Sequence, residues 1–344
     1  MSCLRRLLGF IAAALLCAPG ALSQPQDHGS ASVFLYHRFD EPDKPSTNIS
    51  SSLFRAHLAE LTSGPYHVMP LGEIADSLAS GKPLPHQAVA ITLDDGFLSA
   101  YRHAWPLLRK AGLPFTLFIS TDALDEKQKG AITWDQLREM MAGGQAAIGH
   151  HGAAHLHMPQ TSEAVKRADI EKARARFAAE LGLLPEIFAY PYGEYSIEDR
   201  ALIVQMGFRA AFAEQSGPVH SGSDRFALPR FVLNEAYGET RRFRLAARAL
   251  PLPVHDLSPV DPMLTPGNNP PVMGFRVEEG VTGLERLACY ASHQEAPLSL
   301  RRTGGGRIET RPQKAFPPGH GRINCTLPAG EGRWRWLGQL YVVP

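Results

Sequence analysis

Three short stretches hold most of the residues that could do chemistry: "LDDG" at 93–96, "GHHGAAHLH" at 149–157 and "YPYG" at 190–193. Two adjacent ionised carboxylates repel each other, and burying either is costly without a positive partner. Asp94 and Asp95 therefore call for a metal ion or a cationic side chain beside them. One Asp with two His is a donor set for a divalent metal, Zn²⁺ first among them, with positions left open for water. His151 and His155 stand four apart, so a helical turn would aim both imidazoles to one side. His150 and His157 compete for that assignment.

The elements that must position these groups are legible from periodicity. Val89, Ile91 and Leu93 alternate with small or hydroxylated residues, which predicts a buried strand over 88–94 that ends on the two acids. A helical pattern from Phe97 stops at Gly112, and "LPFTLFIS" (113–120) follows as a second strand, a βαβ unit with parallel strands. Upstream lie a strand over 31–39 and a helix over 51–64. Downstream come a helix at "TWDQLREMMAGG", a strand at "QAAIGHH", a helix over 161–182, the short strand "IFAYPYG", a helix near 196–206 and a strand at "FRAAFA". Strand and helix alternate throughout, so residues 31–248 are predicted to form one α/β domain. Chemistry in such folds gathers at the carboxyl ends of strands. All three stretches fall there.

The ordered set resembles the polysaccharide deacetylases, also called the NodB-homology or carbohydrate esterase family 4 proteins. "ITLDDG" is similar to the family's first motif, "GHHGAAH" to its second and "YPYG" to its third. "YHRF" and "ITWDQL" resemble members that act on poly-N-acetylglucosamine. The resemblance implies a distorted (β/α) barrel, with Asp94 as catalytic base and Asp95, His151 and His155 as metal ligands. It makes Tyr190, Pro191 and Tyr192 a wall of the substrate groove, Tyr192 helping to hold the reaction oxyanion. Two departures remove support that the family's pattern supplies: Ala189 stands where many members have an Arg that pairs with the base, and Gly152 where many have Ser or Thr. The family's late His, its general acid, has no clear match; His220 is the candidate by order. His37 ends the first strand and either lines the pocket or is structural.

The N-terminus has Arg5 and Arg6, an apolar run from Leu7 to Cys17 and the small-residue pattern Ala21-Leu22-Ser23. This predicts a signal peptide over 1–23, and a periplasmic or secreted product with no membrane-spanning segment left after its removal. The remainder holds 33 basic and 34 acidic residues, a balance that gives no support to a nucleic-acid partner. Only Cys289 and Cys325 survive cleavage, and export predicts a disulfide between them. Proline is dense over 249–272, predicting a linker or extended wrap. Short alternating pieces over 273–344 predict a small all-β module. Trp334 and Trp336 share one strand face there and are expected to pack in a core. "TGGGR" at 303–307 has no helix after it and reads as a turn. The expected activity is metal-dependent removal of N-acetyl groups from an acetylated GlcNAc polysaccharide. An O-acetyl esterase and a decayed glycan-binding protein are the alternatives.

Overall fold

The structure is a computed structural model that describes residues 29–344; the expected signal peptide lies outside them. Its larger sheet contains six main parallel strands in chain order: β1 (Ser30–Tyr36), β2 (Ala88–Asp94), β3 (Phe115–Ile119), β4 (Ala146–His150), β5 (Ile187–Ala189) and β6 (Ala210–Phe212). Helices alternate with them, as the periodicity predicts. Glu163–Leu181 is the longest and ends at Gly182, whose φ of 67° is easy only for glycine. The helix expected from Phe97 begins instead as a π turn at Ala100–Ala104 and continues as Trp105–Ala111.

One irregular segment closes the curled sheet. Leu228 bridges Phe212 of β6, and Phe231–Val232 pairs in parallel with β1 opposite Phe34 and Leu35. Residues 228–232 thus run from the last strand back to the first, completing a distorted barrel. Period-2 geometry then sets the two faces of β2. Val89, Ile91 and Leu93 pack in the cluster that also holds Phe54, Trp105 and Leu108. Ala88, Ala90, Thr92 and Asp94 take the opposite face, so the last of them, Asp94, is buried at the barrel's carboxyl end.

Residues from 250 onward build two four-stranded sheets. The first orders β7 (Leu250–Pro251), β14 (Trp334–Val343), β13 (Gly319–Pro328) and β10 (Ala288–Ala291); the second orders β8 (Val254–Ser258), β9 (Met273–Val277), β12 (Arg307–Thr310) and β11 (Leu300–Arg302). Both contribute to one apolar cluster that includes Met273, Phe275, Ile308, Ile323 and Tyr341. The 249–272 stretch, expected as a linker or extended wrap, supplies two strands, at 250–251 and 254–258. Cys289 and Cys325 sit opposite each other on β10 and β13 and are joined by a disulfide. Trp336 packs edge-on against Phe231 of the barrel, while Trp334 beyond it stays partly exposed, so the two indoles do not share one core. Among the described residues no helix is long and apolar enough to cross a membrane.

Candidate active site

The chain turns sharply after β2, with Asp95 at φ 71° and Gly96 at φ 72°. A left-handed conformation is strained for Asp95 and free for Gly96. It sends the two carboxylates to different partners. Asp94 is buried and accepts two hydrogen bonds from Arg230, Nη1 to Oδ1 and Nη2 to Oδ2, both at 2.8 Å. Arg230 is itself fully buried; its Nε donates to the Ala213 carbonyl and its Nη1 to Thr92 Oγ1. Asp95 faces two imidazoles instead. Its Oδ1 lies 3.2 Å from His151 Nε2 and 3.1 Å from His155 Nε2.

The two His reach Asp95 from a loop, not from the helical turn expected of their spacing. Gly152 (φ 74°) and His155 (φ 53°) bend it. A Cβ at position 152 would meet Asp169 Oδ2 at 2.6 Å, which explains the missing Ser or Thr. Asp169 supports the loop in their place, accepting from the Ala153 and Ala154 amides at 2.9 and 2.8 Å. His151 Nδ1 donates to the Ala189 carbonyl at 2.7 Å, which leaves Nε2 free to coordinate. Tyr192 packs edge-on against His155, ring centres 4.3 Å apart.

His150 does not compete for the site. It is enclosed by Phe177, Phe188 and Phe208, its Nε2 is bonded to the Ile170 carbonyl, and burial drives its pKa down to about 3. His157 is engaged elsewhere, donating to Glu194 at 2.7 Å. His220 is a correction. It pairs with Ser30 at the start of β1, whereas Asp94 lies beyond the opposite end, where Leu93 faces Tyr36. At about 3.3 Å per residue those ends are roughly 20 Å apart, so His220 cannot serve as proton donor. His37, for which the sequence leaves lining the pocket and a structural role both open, follows β1 and stands beside Asp94. Donor atoms of His37, Asp94 and Glu214 lie within 4.8 Å of one another.

The donor set fits a divalent metal. Nitrogen and oxygen ligands about 2.1 Å from a tetrahedral ion stand roughly 3.4 Å apart, close to the two spacings at Asp95 Oδ1. That oxygen is buried with no hydrogen-bond partner assigned to it. Burial opposes ionisation of Asp95, but the two His outweigh it and hold the carboxyl well below its usual range. Burial likewise lowers the pKa of His151, and Asp95 and Asp94 raise it more. A cation between these groups satisfies all three with both imidazoles neutral.

Residues 81–211 match the family model described as polysaccharide deacetylase. Over that span the chain is similar to the polysaccharide deacetylases. The poly-β-1,6-N-acetyl-D-glucosamine N-deacetylase of Staphylococcus aureus (strain MSSA476) is 24% identical over 214 residues, 59% of this chain and 73% of that one. The protein of the same name from Escherichia coli (strain K12) is 22% identical over 255 residues, 61% of this chain; only 37% of that longer protein is spanned. IcaB from Ammonifex degensii superposes with a TM-score of 0.57 at 26% identity, covering 64% of this chain and 97% of that one.

Within the barrel the departure at Ala189 is made good from elsewhere: the guanidinium on Asp94 comes from Arg230, 136 residues along the chain. Arg230, Glu214, Glu194 and Asp169 escaped the reading from sequence. The one signal for Arg230 was a lone charge entering an apolar run, "LPRFVL".

Proposed function

We propose that this chain is an exported, metal-dependent hydrolase that removes N-acetyl groups from a GlcNAc-containing polysaccharide. The carrying observation is the division between the two acids, Asp95 to a His pair and Asp94 to a buried Arg. Asp95, His151 and His155 would hold the metal, with Zn²⁺ suited to the donors. When bound, it supplies Lewis acidity that polarises the acetyl carbonyl and acidifies water.

The chain's own residues do the rest. Asp94, oriented by Arg230, takes a proton from the attacking water. The Tyr192 amide lies in the first turn of a short 3-10 helix (Pro191–Gly193), where N–H groups have no partner within the helix. We assign it as donor to the oxyanion of the tetrahedral intermediate. His37, beside Asp94 and Glu214, protonates the departing amine, giving acetate and a free amino sugar. Tyr190 and Pro191 lead into this wall; Tyr190 is buried, with its hydroxyl on the Phe226 carbonyl, and it supports the groove from behind.

The names of the S. aureus and E. coli relatives support poly-β-1,6-GlcNAc as the polymer. The pattern over residues 1–23 supports export. Acetate release from acetylated poly-GlcNAc and from O-acetylated xylan, each with and without chelator, tests the reading. Chelator-sensitive release from poly-GlcNAc is expected. Release from xylan alone would convert the assignment to an esterase.

A further inference from the structure

Strand β13 belongs to the sandwich that the two C-terminal sheets form around their shared apolar cluster, yet two of its side chains reach the barrel. His320 and Arg322 are two apart and so point to one side. His320 Nε2 donates to Glu194 Oε1 at 2.7 Å, and Arg322 Nη2 stands 3.7 Å from Glu214 Oε2. Both acids are buried, Glu194 at 3% exposure and Glu214 at 8%. Each is one contact from the site. The other Glu194 oxygen accepts from His157, whose ring lies flat on Tyr192 with centres 3.8 Å apart and planes within 1°. Glu214 stands with His37 and Asp94. The backbone at Gly193, next to Glu194, packs directly on Glu214, since a Cβ there would meet Glu214 Cβ at 2.5 Å.

The Tyr192 backbone needs such bracing. Its φ of 60° is a strained conformation for a tyrosine, which persists only where its surroundings over-determine it. A buried carboxylate that loses a donor must rotate or admit water, and the groups stacked on it then move. Displacements of about 1 Å at a reacting centre cost on the order of 100-fold in rate. A glycan-binding role for the sandwich has less behind it. Trp336 is spent on Phe231 and on Asn324 Oδ1, which leaves Trp334 as the one indole of the pair in solvent.

We propose that His320 and Arg322 are positioning residues for hydrolysis, and that the sandwich is a wall of the active site, not an appendage. This rests on the reading of Asp94, His37 and Tyr192 given above. His320 fixes the Tyr192 loop through Glu194 and His157. Arg322 fixes Glu214 behind His37.

The test uses the full chain with metal loaded. His320→Ala and Arg322→Gln are compared with wild type for kcat and KM on acetylated poly-GlcNAc, metal content, and hydrogen exchange over 190–195 and 213–216. Arg301→Gln, an exposed residue of β11, is the control. His320→Ala is expected to lower kcat about tenfold or more, keep the metal, and raise exchange in the 190–195 loop while β14 stays protected. Arg322→Gln should do the same, more weakly, at 213–216, with partial recovery in Arg322→Lys. Wild-type kcat in both variants overturns the proposal, as does a loss of protection that includes β14, which is the mark of a merely structural role. If wild type releases no acetate from any glycan, the functional reading fails on its own. Hydrogen exchange then decides the positioning claim, and unchanged loop exchange overturns it.

Discussion

The barrel and the sandwich solve burial in opposite ways. At the carboxyl ends of its strands the barrel buries Asp94, Arg230, Glu214, His37, His151 and Glu194 within one region, each held by a named partner. The sandwich fills its interior with Met273, Phe275, Ile323, Leu327 and Tyr341 and closes it with a disulfide. Buried polar networks are costly when any member is removed, whereas an apolar core degrades with lost volume. Substitutions at the barrel's strand ends should therefore strike chemistry first, and changes inside the sandwich should strike stability alone. His320 and Arg322 are where that division would break.

The largest effects are expected on the metal side. Asp95→Ala, His151→Ala and His155→Ala should each strip the metal and abolish measurable turnover, with the sandwich intact by hydrogen exchange. His150→Ala tests the register: it should cost stability through lost packing yet leave bound metal where His151→Ala removes it. The reverse result by metal analysis would move the site one residue.

Next comes the buried pair of Asp94 and Arg230. Asp94→Asn should keep the metal and lower kcat by about 10²–10⁴-fold, the usual worth of a general base. Arg230→Gln strands a buried carboxylate, an event that costs about 3–5 kcal/mol. Denaturant midpoints should show that loss, and metal content should not change. Arg230→Lys should recover little, because an ammonium cannot replace a two-pronged guanidinium contact. Equal metal loss in Asp94→Asn and Asp95→Asn would end the proposed division between the acids.

What could be read from the chain, and what could not, follows the same line. The trio of Asp95, His151 and His155 was legible because each member sits in a short stretch at the end of a strand whose period is local. Arg230 and Glu214 were not, since barrel closure brings them to Asp94 from more than a hundred residues away and no local pattern encodes that. The loop geometry of His151 and His155 was hidden for a related reason: Asp169, on a following helix, decides it. Proline left the two short strands within 249–272 unread. Proline removes a ladder donor, so it argues against a central strand. But β7 and β8 are edge strands, each paired on one side only, and an edge tolerates it.

In the sandwich, reduction of Cys289–Cys325 should cost about 2–4 kcal/mol, mainly by freeing the unfolded chain across a separation of 36 residues. Thiol counting on protein exported to an oxidising compartment should find none free. Cys289→Ala/Cys325→Ala should lower the sandwich's unfolding midpoint while metal content stays at the wild-type level. Metal loss in that variant would mean the two halves are one cooperative unit.

A last effect sharpens the contrast by pH. His57, on the Ser51–Ser63 helix, is buried against Phe243 with ring centres 4.0 Å apart. Its Nε2 donates to the Gly238 carbonyl at 2.6 Å and its Nδ1 accepts from the Tyr36 hydroxyl at 3.0 Å. Burial lowers its pKa from 6.5 to about 4, against the raising effect of the Gly238 bond. The fold thus holds the imidazole neutral. Above pH 6.5 both states are neutral there and the group contributes no pH dependence. Between 6.5 and about 4 the unfolded chain takes up a proton that the folded chain refuses, and stability falls by up to about 1.4 kcal/mol per pH unit, roughly 3 kcal/mol in all. Below about 4 the loss is complete. His57→Gln should therefore be less stable than wild type at pH 7.5, through the lost stack and hydrogen bonds, with the gap narrowing by pH 4.5. Urea midpoints read by exchange in β1 and β2 measure it. A gap that stays constant across that range would clear His57 of any part in the barrel's acid sensitivity.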